Sequence, residues 1–236
     1  MVQRRVTPSK SAKVGKASDR AGYHHGDLRR ALLDACLAII QFEGVGHTSL
    51  RAVAKRAGVS AAAPYHHFPS REAMLGELAS EGFVLFADAL LARSRVSPSK
   101  DPIEHLASLG RGYLDFAKDY PAHFRLMFLA LAEGFPSDTL FAHAGRSFEV
   151  LLEGVRKVVP DSQEAQQSLA LLVWSATHGA AELMAQGAIG KPSTLFPNPN
   201  IANDLIENLM RLVRSGNHEN GKSIQKPRHT ASRARR

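Results

Sequence analysis

Apolar residues recur at i, i+3, i+4 and i+7 along most of this chain, and no stretch shows the alternation of a half-buried strand. The pattern predicts an all-α protein of about nine helices. The first spans about 27–42, with Leu28, Leu32, Ala35, Cys36, Ile39 and Ile40 on one stripe. A second, 49–57, opens at Thr48 or Ser49, whose side-chain oxygen can satisfy an orphan backbone N–H. Its inward stripe is Leu50, Val53, Ala54 and Ala57, which leaves Arg51, Lys55 and Arg56 outward. Gly58 ends it, and Ser60 is expected to cap a further helix of about two turns that Pro69 stops. Val59, Pro64 and Phe68 form the inner side of that helix, with Ala61, Ala62, Tyr65 and His66 opposite.

The remaining helices are longer. They are expected at about 71–95, opened by Ser70 with Arg71-Glu72, then 102–119 behind Asp101-Pro102, 121–132, 138–159, 161–186 and 201–214. Asp161-Ser-Gln-Glu164 reads as a capping box for the penultimate helix. Two short helices joined by Ala57-Gly58-Val59-Ser60 are how a chain builds a helix-turn-helix, so residues 22–75 read as a DNA-binding domain. Residues 76–215 read as a second, larger helical domain, flanked by disordered basic tails at 1–21 and 216–236.

Charge sharpens this division. The net formal charge is +8, yet residues 1–20 hold six Lys/Arg against one acid, and residues 221–236 hold six against none. The chain between them is slightly acidic, except that 21–75 carries six Lys/Arg against four acids plus five histidines. A basic reading head on an acidic body suits phosphate contact at one end only. The tails either add salt-sensitive affinity for any DNA or serve only as solvated termini.

Chemistry is sparse. There is no Gly-rich phosphate loop, Cys-His pair or Glu-x-x-His, so no catalytic residue, cofactor or metal is expected and the chain does not read as an enzyme. His24-His25 lacks partners at ligand spacing. Cys36, the one cysteine, sits on an apolar stripe and reads as a small buried hydrophobe rather than a redox sensor. No run approaches the ~18 apolar residues of a membrane span, and no leader pattern opens the chain, so a cytoplasmic, nucleoid-associated place is expected with no membrane partner.

Residues 22–76 resemble the TetR family of bacterial repressors. The resemblance is carried by Thr48, Val53-Ala54, Ala57-Gly58-Val59-Ser60, Tyr65-x-His67-Phe68, Arg71-Glu72 and Leu75, with Tyr23-His24-His25-Gly26-Asp27-Leu28 upstream. Pro64 departs from the branched aliphatic usual there, and Ala61-Ala62-Ala63 places methyls where many relatives carry polar base readers. The resemblance implies a DNA surface made of Thr48, Ser49, Arg51, Ser60, Ala61, Ala62, Ala63, Tyr65, His66, His67 and Arg71, and an arm near Tyr23–His25 against the DNA backbone. Sequence choice would then rest on methyl contacts with thymine, on His66 and on DNA shape.

Residues 100–190 look like the TetR C-terminal domain named for its Trp-His-Gly motif, on Gly112-Tyr113-x-x-Phe116, Tyr120-Pro121-x-x-Phe124-Arg125-Leu126-Met127-Phe128 and Trp174-x-x-x-His178-Gly179. Trp174 and His178 lie one turn apart on one face, either as core, with Gly179 admitting a neighbouring helix, or as the lining of an effector cavity. The candidate ligand residues are Tyr113, Phe116, Phe124, Met127, Phe128, Trp174, His178 and Glu182, with Arg125 a further polar group; Glu182 would favour a cationic ligand.

A short recognition helix buries too little surface to read one site tightly, so a homodimer on a palindromic double-stranded operator is expected. Leu169, Leu172, Val173, Ala176, Ala180 and Leu183, with Leu205, Leu209, Leu212 and Val213, would form its four-helix seam. The function expected is a ligand-responsive repressor released by a small, mainly apolar effector. The alternatives are a non-specific architectural DNA protein using its basic tails, and a ligand-binding protein whose DNA activity has lapsed.

Overall fold

The computed structural model describes residues 25–96, 99–191 and 196–223. Among these, eight α-helices and two 3-10 turns account for the regular structure, with no strand: α1 (His25–Phe42), α2 (Leu50–Arg56), α3 (Arg71–Val96), α4 (Pro102–Asp119), α5 (Pro121–Glu133), α6 (Leu140–Val158), α7 (Gln163–Ala185) and α8 (Ile201–Ser223). The 3-10 turns are Val45–His47 and Ala63–His66. The Tyr23–His24 arm and residues 224–236 lie outside the described residues.

Local chemistry places most boundaries. Ser49 accepts from the Ala52 N–H at 3.1 Å, Ser70 from Ala73 at 3.0 Å and Asp101 from Ile103 at 2.9 Å, each satisfying a donor that the first helical turn leaves orphaned. Gly134, at φ +63°, ends α5 as a left-handed C-cap, and the Phe135 N–H reaches back to the Ala130 carbonyl at 3.0 Å.

Three expectations need correction. The α7 cap is Ser162, which accepts from Ala165 at 3.1 Å, so Asp161 and Glu164 are out of register for a capping box. The last helix runs past 214 to Ser223, so the tail expected from 216 begins as helix; Arg214 pairs with Asp101 and draws α8 onto the start of α4. The expected two-turn helix after Ser60 is replaced by the 3-10 turn Ala63–His66, which leaves eight α-helices where nine were counted.

Pro64 explains the third. Without an N–H it cannot join an α ladder, so the Ser60 carbonyl is taken by Ala63 at 3.0 Å and the Ala62 carbonyl by Tyr65 at 3.2 Å, both in the i→i+3 pattern. Pro64 itself is buried, and its ring holds the segment against the core.

α3 crosses the boundary drawn at 75/76 without a break, and a continuous buried cluster joins Leu32, Cys36, Val53, Phe68 and Leu75 to Leu106, Phe116, Leu126, Met127 and Ile206. Burying side chains of this size contributes roughly 1.5–3 kcal/mol each. Close approach is bought with glycine: a Cβ on Gly76 would stand 2.3 Å from the Pro136 carbonyl oxygen, and one on Gly112 would stand 3.2 Å from the Leu90 Cα. Gly179, by contrast, faces open space, so it does not admit a neighbouring helix within the subunit. Burial pushes the Cys36 thiol up to about 12, as a core residue requires.

Candidate functional site

The reading head is built around α2. Leu50, Val53 and Ala54 are buried against α1 and Phe68, which leaves Arg51, Lys55 and Arg56 exposed. Gly58 adopts φ +71°, where the Val59 N–H turns back to the Ala54 carbonyl at 3.0 Å. The chain then presents Ser60, Ala61, Ala62, Tyr65 and His66 on an exposed edge, with Tyr65 56 % accessible, while Ala63 and His67 are half-buried. This inner and outer division matches the periodicity although the helix itself is shorter.

Two residues assigned to the DNA surface are placed otherwise. Thr48 is fully buried, and its hydroxyl donates to the Val45 carbonyl at 2.6 Å. Arg71 is half-buried and spent on the same turn, its Nε donating to the Thr48 carbonyl at 2.6 Å and its Nη2 to the Val45 carbonyl at 2.8 Å. Together they fasten the 45–48 turn to the start of α3.

Polar contacts tie the head to the body. Arg29 forms a bidentate pair with Glu77 and lies over the Phe68 ring at 4.9 Å. Arg30 donates to Glu81 at 2.8 Å, and Arg125 donates to the Gln41 carbonyl at 3.1 Å, so Arg125 is no polar reader of a cavity. The buried His123 Nε2 stands 3.6 Å from Glu81; His123 and Arg30 hold the Glu81 carboxyl down at about 2.

In the body, a cavity of about 410 Å³ lies between α3, α4, α5, α6 and α7. Phe83 and Phe86 of α3, Tyr113 of α4, Phe128 of α5 and Trp174 of α7 make its aromatic walls, and it opens beside α6, where Phe141 and Phe148 are exposed. Of the candidate ligand residues, Tyr113, Phe128 and Trp174 line it. Phe116, Phe124 and Met127 are buried in the core instead, and Glu182 accepts from Gln186 at 2.9 Å away from the wall.

His178 stands behind the wall, 2.7 Å from the Tyr113 hydroxyl through Nδ1, with its ring 4.6 Å from that of Phe128. Burial lowers the His178 pKa against the opposing pull of Glu182, which favours the neutral imidazole that pairs with a phenol. Burial likewise raises the Tyr113 pKa. The Trp-His pair is therefore divided: Trp174 faces the cavity and His178 orients Tyr113. Sequence reasoning passed over Phe83, Phe86, Phe141, Phe148 and Thr177, although Val173, Trp174 and Thr177 share one face at i, i+1 and i+4.

Residues 32–78 match the family model described as bacterial regulatory proteins, tetR family, and residues 106–209 match the tetracyclin repressor-like C-terminal domain. The chain belongs to the TetR family. The second match takes in Tyr113, Trp174 and His178, so both the reading head and the cavity lie largely within TetR-type segments. The HTH-type transcriptional repressor KstR2 of Mycobacterium tuberculosis is 36 % identical over 93 residues, 39 % of this chain and 44 % of the repressor. The chain thus matches under half the length of that curated relative. A solved protein from Rhodococcus sp. RHA1 superposes with a TM-score of 0.67 at 26 % identity, covering 83 % of this chain and 98 % of the other. A tetR-family regulatory protein from Rhodococcus RHA1 gives 0.61 at 20 % identity over 79 % and 96 % of the two chains, a likeness of fold. No helix among the described residues is long and apolar enough to cross a membrane.

Proposed function

We propose that this TetR-family chain is a transcriptional repressor that binds an operator as a homodimer and is released by a small, mainly apolar effector. The observation that carries the reading is α3: it begins at the turn beneath the reading edge and runs on through the cavity wall, so one continuous helix touches both sites. Ser49, Arg51, Ser60, Ala61, Ala62, Ala63, Tyr65, His66 and His67 would meet the duplex, the alanines through thymine methyls and Arg51 through phosphate. Thr48 and Arg71 would position them.

From Arg71 to Phe86 α3 is a lever of roughly 22 Å at 1.5 Å per residue, so a tilt of a few degrees at the cavity moves the head by an ångström or more. Two heads must stand about 34 Å apart to enter successive major grooves, and a ligand that favours another spacing empties the operator. Reversing occupancy from 99:1 to 1:99 needs about 5.5 kcal/mol of preference between the two arrangements. A cavity lined by seven aromatic side chains offers apolar contact worth several kcal/mol toward that preference.

The dimer surface would be the outward side of α7 and α8. Leu172, Leu183, Leu205 and Leu212 are exposed there, Leu212 to 71 %, whereas Val173, Ala180 and Leu209 of the same stripes turn into the subunit. The name of KstR2 supports repression rather than activation. A salt-titrated gel shift on the DNA upstream of the chain's own gene tests the proposal. Selective binding that persists as salt rises is expected; affinity equal for a scrambled duplex would reject it.

A further inference from the structure

We propose that the cavity selects a neutral ligand carrying a single hydrogen-bond acceptor, a ketone, ester or ether on an apolar skeleton, and that Thr177 is the residue that recognises the acceptor. The inference rests on the effector reading above and names the chemistry of that site.

Two observations carry it. Among the described residues, no charged side chain lines the cavity. A carboxylate or an ammonium would therefore enter an apolar site with no counter-charge in its lining, Glu182 acting only from behind the wall. The second observation is the state of the hydroxyls in the wall. That of Tyr113 is engaged with His178 at 2.7 Å, and that of Ser147 donates to the Ala144 carbonyl at 2.8 Å. Thr177 is 1 % exposed, lines the cavity, and its Oγ1 has no hydrogen-bond partner among the described residues.

A helical threonine ordinarily donates to the carbonyl a turn earlier; this one keeps its proton unspent. A buried hydroxyl without a partner is unfavourable, and such groups in native proteins ask for a reason. A ligand carbonyl supplies it by accepting the Thr177 proton. A ligand alcohol or amide would bring a donor as well, which could be met only by the lone pairs left on hydroxyl oxygens such as that of Ser147, which already donates to the Ala144 carbonyl.

The test uses the full chain and four probes of one rigid shape: adamantyl methyl ketone, isopropyladamantane, adamantanecarboxylate and adamantylethylammonium. Trp174, the only tryptophan in the sequence, stands in the wall, so its fluorescence reads binding without DNA. The ketone is expected to bind about fivefold tighter than the hydrocarbon, and both ions at least roughly a hundredfold weaker. Thr177→Val, close to isosteric, is expected to weaken the ketone about tenfold and leave the hydrocarbon within about twofold, and Thr177→Ser to retain the ketone preference. Absence of ketone binding, equal effects of Thr177→Val on ketone and hydrocarbon, or a carboxylate that binds as well as the ketone would overturn the proposal. Operator release is measured separately. A ketone that binds in the expected pattern yet leaves the DNA complex intact removes the effector reading and leaves the Thr177 assignment standing.

Discussion

Replacing Arg71 by methionine separates a structural role from a DNA contact. The substitution keeps most of the stem and deletes the guanidinium that donates to the Thr48 and Val45 carbonyls at 2.6 and 2.8 Å. Hydrogen bonds from a charged donor are worth about 1.5–3 kcal/mol each. The Arg71 side chain is 29 % exposed, so water replaces part of that donation and a total loss of about 2–3 kcal/mol is expected. For a chain of this size about 2–4 °C accompanies each kcal/mol, which places the fall in Tm at roughly 5–10 °C. Thermal unfolding followed by circular dichroism reads it. Operator affinity, measured where both proteins are folded, should fall less than in Tyr65→Ala. An unchanged Tm with abolished DNA binding would mean that Arg71 reaches the duplex after all, and the positioning argument would fail.

Three further outcomes follow from the same structure. Tyr65→Ala and His66→Ala remove exposed side chains, so Tm should stay within about 1 °C of wild type while operator affinity falls about tenfold or more; a large stability loss would contradict the exposed edge. Gly76→Ala, which in an open helix would stabilise by about 1 kcal/mol, should here destabilise by about 2 kcal/mol, because the new Cβ would stand 2.3 Å from the Pro136 carbonyl oxygen; denaturant melts decide the sign. Glu81 has a folded pKa of about 2, below its ordinary value, so its contribution is complete above about pH 4.5 and is lost as pH falls toward 2. The urea midpoint of Glu81→Gln should therefore change less across that window than that of the wild type.

Periodicity, caps and breakers act over a single turn, and for that reason the chain alone determined the all-α class, the starts of α2, α3 and α4, and the outward set Ala61, Ala62, Tyr65 and His66. Pro64 was visible as a missing donor, but its effect needed the backbone. Whether the carbonyls around it regroup into an i→i+3 pattern depends on how Pro64 and Phe68 seat in the core. Only the tertiary structure separated Thr48 and Arg71 from the reading edge, because their partners, the Val45 and Thr48 carbonyls, lie up to 26 residues away in sequence from the guanidinium. It also decided which aromatics of α4 and α5 are core and which are wall. Phe116, Phe124 and Phe128 are equally apolar and sit at helical spacing, yet each helix in this body has neighbours on several sides, and spacing marks a face as apolar without saying what it faces. Thr177 was hidden for the same reason: a hydroxyl amid apolar residues declares itself only when every nearby acceptor has been located and none is within reach.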